Sequence, residues 1–227
     1  MTIVLRRLQS LHRFLAGHFF YPALLSSALA SVVLIGRVYL SGKGTYAFLV
    51  WNLTLAWVPY LCALWAVGVH RRFPWWALPV PFAVWLIFFP NAPYIVTDFL
   101  HLQARRPIPI WYDTILVMSF AWSGCFLAVT SLYIMQTLVR SYLGRSVSWL
   151  FVAVTLGLTG LGVYLGRFLD WNSWDLLLRP RRVLGDVLVR FLNPLDHLGA
   201  VGVTVLFAAF LFVCYVTFLS MQQRDRV

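Results

Sequence analysis

The sequence predicts an all-α membrane protein: about six transmembrane helices in one bundle, with short interfacial helices in the third and fifth loops. Three observations carry this reading. Of 227 residues, 61% are hydrophobic, and the mean hydropathy is +0.80. Only 11% are charged, under half the roughly 25% of soluble domains, which excludes a soluble globular fold. Disorder is excluded as well, because it needs low hydrophobicity. Finally, apolar runs recur at lengths near the ~20 residues that a helix needs to cross hydrocarbon. No connecting segment is longer than 167–197, so residues 1–227 read as a single polytopic domain.

The first span, 19–35, follows Arg6, Arg7 and Arg13. Ala28-Leu29-Ala30 imitates a signal-peptide cleavage site, but the apolar run continues through Ile35, which predicts an uncleaved helix. The second span covers 46–69. The third, 73–89, is short and carries Pro74, Pro79 and Pro81, so a kink or a late start is expected. The fourth, 111–138, is long enough to tilt. The fifth, 149–166, holds Gly157, Gly160, Gly162 and Gly166, including a G-x-x-x-G pair suited to close helix approach. The sixth covers 198–221. Cys62, Cys125 and Cys214 fall inside spans without C-x-x-C spacing and read as small buried apolar residues. Asn52, Thr54 and Gln136 can hydrogen-bond between helices. His12, His18 and His70 read as interfacial residues without partners.

The charge is unusual: 17 Arg, one Lys, seven Asp, no Glu, and a net charge of +11. In a soluble chain this would suggest nucleic acid; in a membrane chain it places loops at anionic lipid surfaces. The partners expected are therefore the bilayer and its anionic lipids, with no nucleic acid. Lys and Arg divide nine to nine between the two faces. The three Arg before the first helix favour cytoplasmic termini. All Asp except Asp225 fall on the face of the third and fifth loops. Acids gathered opposite Arg can build a polar site.

Two segments concentrate the chemistry. After Pro90, Asn91 can cap a short helix with Pro93 in its first turn. Helical spacing then lines up Asn91, Tyr94, Asp98, His101 and Arg105 as one polar stripe. Asp98 and His101 stand one turn apart, close enough for a structural hydrogen bond, proton exchange or a shared metal. The second segment runs from Arg167 to Asp175. Asn172 and Asp175 have capping-box spacing, and Asp175 and Arg179 suit an i,i+4 ion pair. Trp171 and Trp174 suit headgroup level. Asp113 opens the fourth span, where it complements the helix dipole or joins a metal site. Residues 176–198, with Arg179, Arg181, Arg182 and Arg190, read as an amphipathic stretch on the membrane surface, interrupted at Pro180 and Pro194.

Pro90-Asn91-Ala92-Pro93-Tyr94, with Asp98 and His101 beyond it, and Arg167-Phe168 with Trp171-Asn172-Ser173-Trp174-Asp175 together resemble the DUF1361 family of uncharacterised bacterial membrane proteins. The resemblance runs from the second span to the sixth. It implies a polytopic protein of the bacterial inner membrane and carries over no catalytic roles. Asp170 departs from the family pattern, which favours a basic residue there. Three function classes follow from the residues. A membrane-embedded enzyme acting on a lipid-like or anionic substrate would use Asp98, His101 and Asp175 as catalytic groups. Asn91, Tyr94, Arg167 and Asn172 would bind its substrate, and Asp98, His101 and Asp113 would hold a divalent metal. A small proton- or ion-coupled transporter would use the same acids, although these lie away from the midplane where transporter sites usually sit. A non-catalytic subunit or assembly factor would dock a membrane-protein partner through its Gly-rich helix and aromatic surface.

Overall fold

The computed structural model describes residues 2–72, 75–104, 106–193 and 196–224; Pro74, Arg105, Pro194 and Asp225 lie outside them. Among the described residues every regular element is helical: α1 (Thr2–Gly17), α2 (Phe20–Ser41), α3 (Phe48–Arg72), α4 (Pro79–Phe88), α5 (Asn91–Tyr94), α6 (Ile110–Phe168), α7 (Asp175–Leu178), α8 (Pro180–Leu192) and α9 (Leu198–Arg224), with 3-10 turns at Trp75–Ala77 and Ile95–His101. Five stretches are long and apolar enough to cross a membrane: Phe20–Ser41, Phe48–Arg72, Pro79–His101, Ile110–Phe168 and Leu198–Gln222. Helices are the natural solution here, because a chain in lipid must satisfy its backbone groups internally.

The first span starts later than its apolar run suggests and extends further. Phe19 adopts a left-handed conformation (φ 64°) and separates α2 from α1, an amphipathic helix where a tail is expected. Arg71 stacks over the ring of Phe14 at 5.3 Å, tying α1 to the end of α3. The histidines expected to be unpartnered have partners. Nδ1 of His12 meets the Tyr21 hydroxyl at 2.6 Å and Nδ1 of His18 the Phe14 carbonyl at 2.6 Å, while His70 pairs with the Tyr142 hydroxyl.

Burial follows small residues, as expected where lipid removes the hydrophobic drive between helices and close packing must hold them. On α2 the buried row is Ala23, Ser27, Ala30, Leu34 and Arg37. On α3 it includes Leu49, Leu53, Ala56, Ala63 and Ala66. These rows meet α6, which with α3 forms the centre, while α9 packs along α6 from outside.

The expected fourth and fifth spans are two limbs of α6, which folds back at Gly144. Its φ of 80° and ψ of −179° suit glycine alone. Across this point the Gln136 amide nitrogen lies 3.5 Å from the Ser148 carbonyl, whereas a straight helix would separate them by about 18 Å. Gln136 also accepts the Tyr215 hydroxyl, fastening the turn to α9. Both limbs return to α5. A Cβ on Gly124 would stand 2.3 Å from the Ala92 carbonyl oxygen, and one on Gly162 would stand 2.8 Å from Pro90.

The third-loop helix takes a different form from the one expected. Asn91–Tyr94 and Ile95–His101 extend the apolar stretch begun by α4. They pack against α3 and α6, with Ala92, Ile95, Thr97 and Asp98 buried. Residues 95–101 wind at three residues per turn, which takes Asp98 off the face of Tyr94; Asp98 is buried and His101 is exposed.

Candidate functional site

Two carboxylate–arginine pairs stand on the face predicted to gather the acids, and they differ in geometry. In the first, Arg37 near the end of α2 grips Asp113 in the opening turn of α6. Nε donates to Oδ1 at 2.9 Å and Nη2 donates to Oδ2 at 3.2 Å. Both side chains are buried, 2% and 0% exposed. Arg37 also reaches the Ser41 hydroxyl at 3.2 Å and lies 4.9 Å from the centre of the Tyr46 ring. This bidentate fork uses both carboxylate oxygens. Asp113 is therefore committed to joining α2 and α6. Arg37 escaped the sequence reading, although an Arg extending a span is a charge that needs a partner.

The second pair is loose. Asp98, 1% exposed, accepts a hydrogen bond on Oδ2 from the Asn52 amide at 2.8 Å. Its Oδ1 lies 3.7 Å from Nη1 of Arg167. That oxygen has no hydrogen-bond partner, and 3.7 Å is too long for a hydrogen bond. The three residues come from α3, the 3-10 turn and the end of α6. Gly144 makes the meeting with Arg167 possible by reversing the second limb.

The remaining predicted site residues divide. Asn91 donates to the Phe88 carbonyl at 2.9 Å and to the Ser173 hydroxyl at 2.7 Å, joining the two sequence segments directly. It is the first residue of α5 and makes no capping bond, contrary to expectation; Pro90 precedes it. Tyr94 packs beside Gly166, whose added Cβ would meet the ring at 3.1 Å. His101 is exposed, its ring edge-on to Phe48 with centroids 5.2 Å apart. Half of the expected capping box forms: Asp175 Oδ2 accepts from the Asn172 backbone N–H at 2.9 Å, but the Asn172 amide turns to the Asp170 carbonyl, and Trp174 precedes α7 without a side-chain capping bond. The bond to Asp175 fixes the turn into α7. The ion pair in this region is Asp186–Arg190 at 3.6 Å, where Asp175–Arg179 was expected. Among the described residues no group of three His, Cys, Asp or Glu is placed to hold a metal. Asp98, His101 and Asp113 do not form one, since Asp113 is occupied by Arg37.

Beside the loose pair lies a cavity of about 370 Å³, within the range of small-molecule sites. Its wall along α6 runs from Leu158 to Gly166, about 12 Å at 1.5 Å per residue. Leu55, Leu86 and Ile87 line it from α3 and α4. Val183, Leu184 and Val187 of α8 close one side. Trp171 helps hold α8 there, donating its indole N–H to Asp186 at 2.8 Å. The polar lining gathers Asn52, Asn91, Tyr94, Asn172 and Ser173, with Thr159, whose hydroxyl donates to the Thr155 carbonyl, on the α6 wall. Asn52 thus has the cavity on one side and Asp98 on the other. Ser173 and Asp186 were not singled out in the sequence; each is a short polar side chain whose partner comes from elsewhere in the fold.

A family model described as a protein of unknown function, DUF1361, matches residues 51–222. No curated protein and no solved structure matches the chain. The matched region begins next to Asn52 and contains the loose pair, the cavity and both motif segments, while Arg37 lies before it. With helices long and apolar enough to cross a bilayer several times, the chain belongs to the DUF1361 family and is a multi-pass helical membrane protein.

Proposed function

We propose that this protein binds a lipid-like amphiphile in the cavity between α3, α4, the second limb of α6 and α8. The observation that carries the reading is the composition of one space: leucines and valines along most of its wall, and a cluster of asparagines and hydroxyls from both motif segments. An amphiphile matches that division, with its chain against Leu86 and Leu158 and its head among Asn52, Asn91 and Ser173. In this reading the protein lies in the bacterial inner membrane and crosses it six times, α6 contributing two crossings, with both termini cytoplasmic. Arg179, Arg181 and Arg182, exposed around the start of α8, then hold that helix against anionic headgroups.

Photolabelling tests the cavity. The full chain in nanodiscs is exposed to an amphiphile carrying a diazirine in its chain, and adducts are mapped by mass spectrometry. Saturable adducts within 86–94, 158–166 and 171–187 support the reading. Adducts confined to the outer faces of α2 and α9, growing without saturation, refute it. The topology has its own test in a background without the three native cysteines. Lys43→Cys should react with an impermeant thiol reagent from the external face, and Arg145→Cys only from the cytoplasmic face.

A further inference from the structure

The polar lining shows which kind of head such an amphiphile would carry. Resting on the cavity reading above, we infer that the ligand's head is uncharged and hydroxyl-bearing, rather than a phosphate or an ammonium. Two observations support this independently.

The first is the absence of charge. Among the residues lining the cavity there is no Arg, Lys, His or Asp. Two arginines close to the lining face carboxylates, while Arg179, Arg181 and Arg182 are exposed at the start of α8 and are not among the lining residues. Arg167 faces Asp98 at 3.7 Å and Arg190 faces Asp186 at 3.6 Å. An anionic head entering this space would lose its water and meet no cation, and a cationic head would meet no carboxylate; burying an unpaired charge is strongly unfavourable. The expectation that Arg167 receives an anionic headgroup is therefore replaced: Arg167 faces the Asp98 carboxylate that holds Asn52.

The second is the direction of the amides. An amide can be turned either way, and its neighbours decide which atom faces where. Asn52 gives an N–H to the Asp98 carboxylate, an acceptor only, so its nitrogen is fixed on that side. Asn91 gives both its N–H groups away, to the Phe88 carbonyl and the Ser173 hydroxyl. Among the described residues neither carbonyl oxygen is given a hydrogen bond, and neither is among the buried atoms without a partner. Two carbonyl acceptors are thus offered to the ligand. The hydroxyl of Ser173, having accepted from Asn91, retains its own proton to donate. A head with two hydroxyls can donate one proton to each carbonyl and accept from Ser173, so it satisfies all three positions. A phosphate can only accept, and would leave both carbonyls without donors.

The test uses three photoprobes with the same diazirine-bearing chain and different heads: glycerol, phosphate and trimethylammonium. Each is titrated by mole fraction into nanodiscs holding the full-length protein, and cavity adducts are quantified. The glycerol probe should half-saturate at a mole fraction about tenfold lower than either charged probe, the scale expected when buried hydrogen-bonding groups lose their partners. In Asn91→Leu this preference should fall to about twofold, and Asn52→Leu provides a second variant should the first fold poorly. Equal or tighter labelling by a charged probe would overturn the headgroup inference while leaving the cavity reading intact. Absence of saturable cavity labelling by all three probes would overturn both.

Discussion

Arg37–Asp113 and Asp98–Arg167 use the same two residue types on the same face of the bundle, and their geometry separates their roles. The first pair is a two-pronged clamp at 2.9 and 3.2 Å, sealed from solvent and supported by Ser41 and Tyr46. The second stands 3.7 Å apart with one carboxylate oxygen unbonded, and its other contact is an asparagine at the wall of a cavity. A pair that satisfies itself completely leaves nothing for a ligand and serves the fold. A pair that satisfies itself incompletely can orient a neighbour, as Asp98 orients Asn52. The family match encloses the loose pair and Asp113, and only Arg37 lies before it.

The comparison can be broken by substitution. The largest effect is expected at the clamp. Asp113→Asn leaves Arg37 buried without its counter-charge, and the full chain in detergent should lose about 3–5 kcal/mol of stability. A loss under about 1 kcal/mol would show that the clamp is dispensable and remove half of the contrast. Next comes Gly144→Val, which forces a β-branched residue into a backbone region reserved for glycine. It should cost about 1–3 kcal/mol and disturb the Asp98–Arg167 approach, leaving Arg37–Asp113, made before the turn, in place. Crosslinking between cysteines placed at positions 136 and 148 would report the altered hairpin. Asp98→Asn, near-isosteric and in a loose pair, should cost only about 1 kcal/mol in stability while abolishing selective ligand binding. Asp175→Ala removes one capping bond and should cost about 0.5–1 kcal/mol, with labelling of the cavity preserved. Its loss would move Asp175 into the binding machinery.

The spans were legible because hydrophobic length is a strong, local signal: each expected span overlaps a helix or a limb of one. The bond from the Asn172 N–H to Asp175 was legible too, because it joins residues three apart. Less visible was anything that depended on chain reversal or on winding. Gly144 reads in the sequence as one more loop glycine, yet it sets the return of Arg167. The stripe through Asn91, Tyr94 and Asp98 assumed 3.6 residues per turn, and the 3-10 winding after Tyr94 altered it. The partners of Asp98 lie 46 positions before it and 69 after it. Asn52, a polar residue in an apolar span, was expected to bond between helices, but its partner side chain was not legible. Charge clustering could not reveal that Asp113 already had Arg37 as its partner.

The most direct test of the contrast is thermal unfolding of the full-length protein in nanodiscs, with and without a monoalkyl glycerol. A ligand that binds only the folded state raises the unfolding temperature. Wild type should show this rise. Asp98→Asn should unfold close to wild type without ligand but show no rise, and Asp113→Asn should unfold well below both. If Asp98→Asn retains the full ligand-dependent rise, or if it is destabilised as severely as Asp113→Asn, the division between a structural pair and a ligand-orienting pair is contradicted.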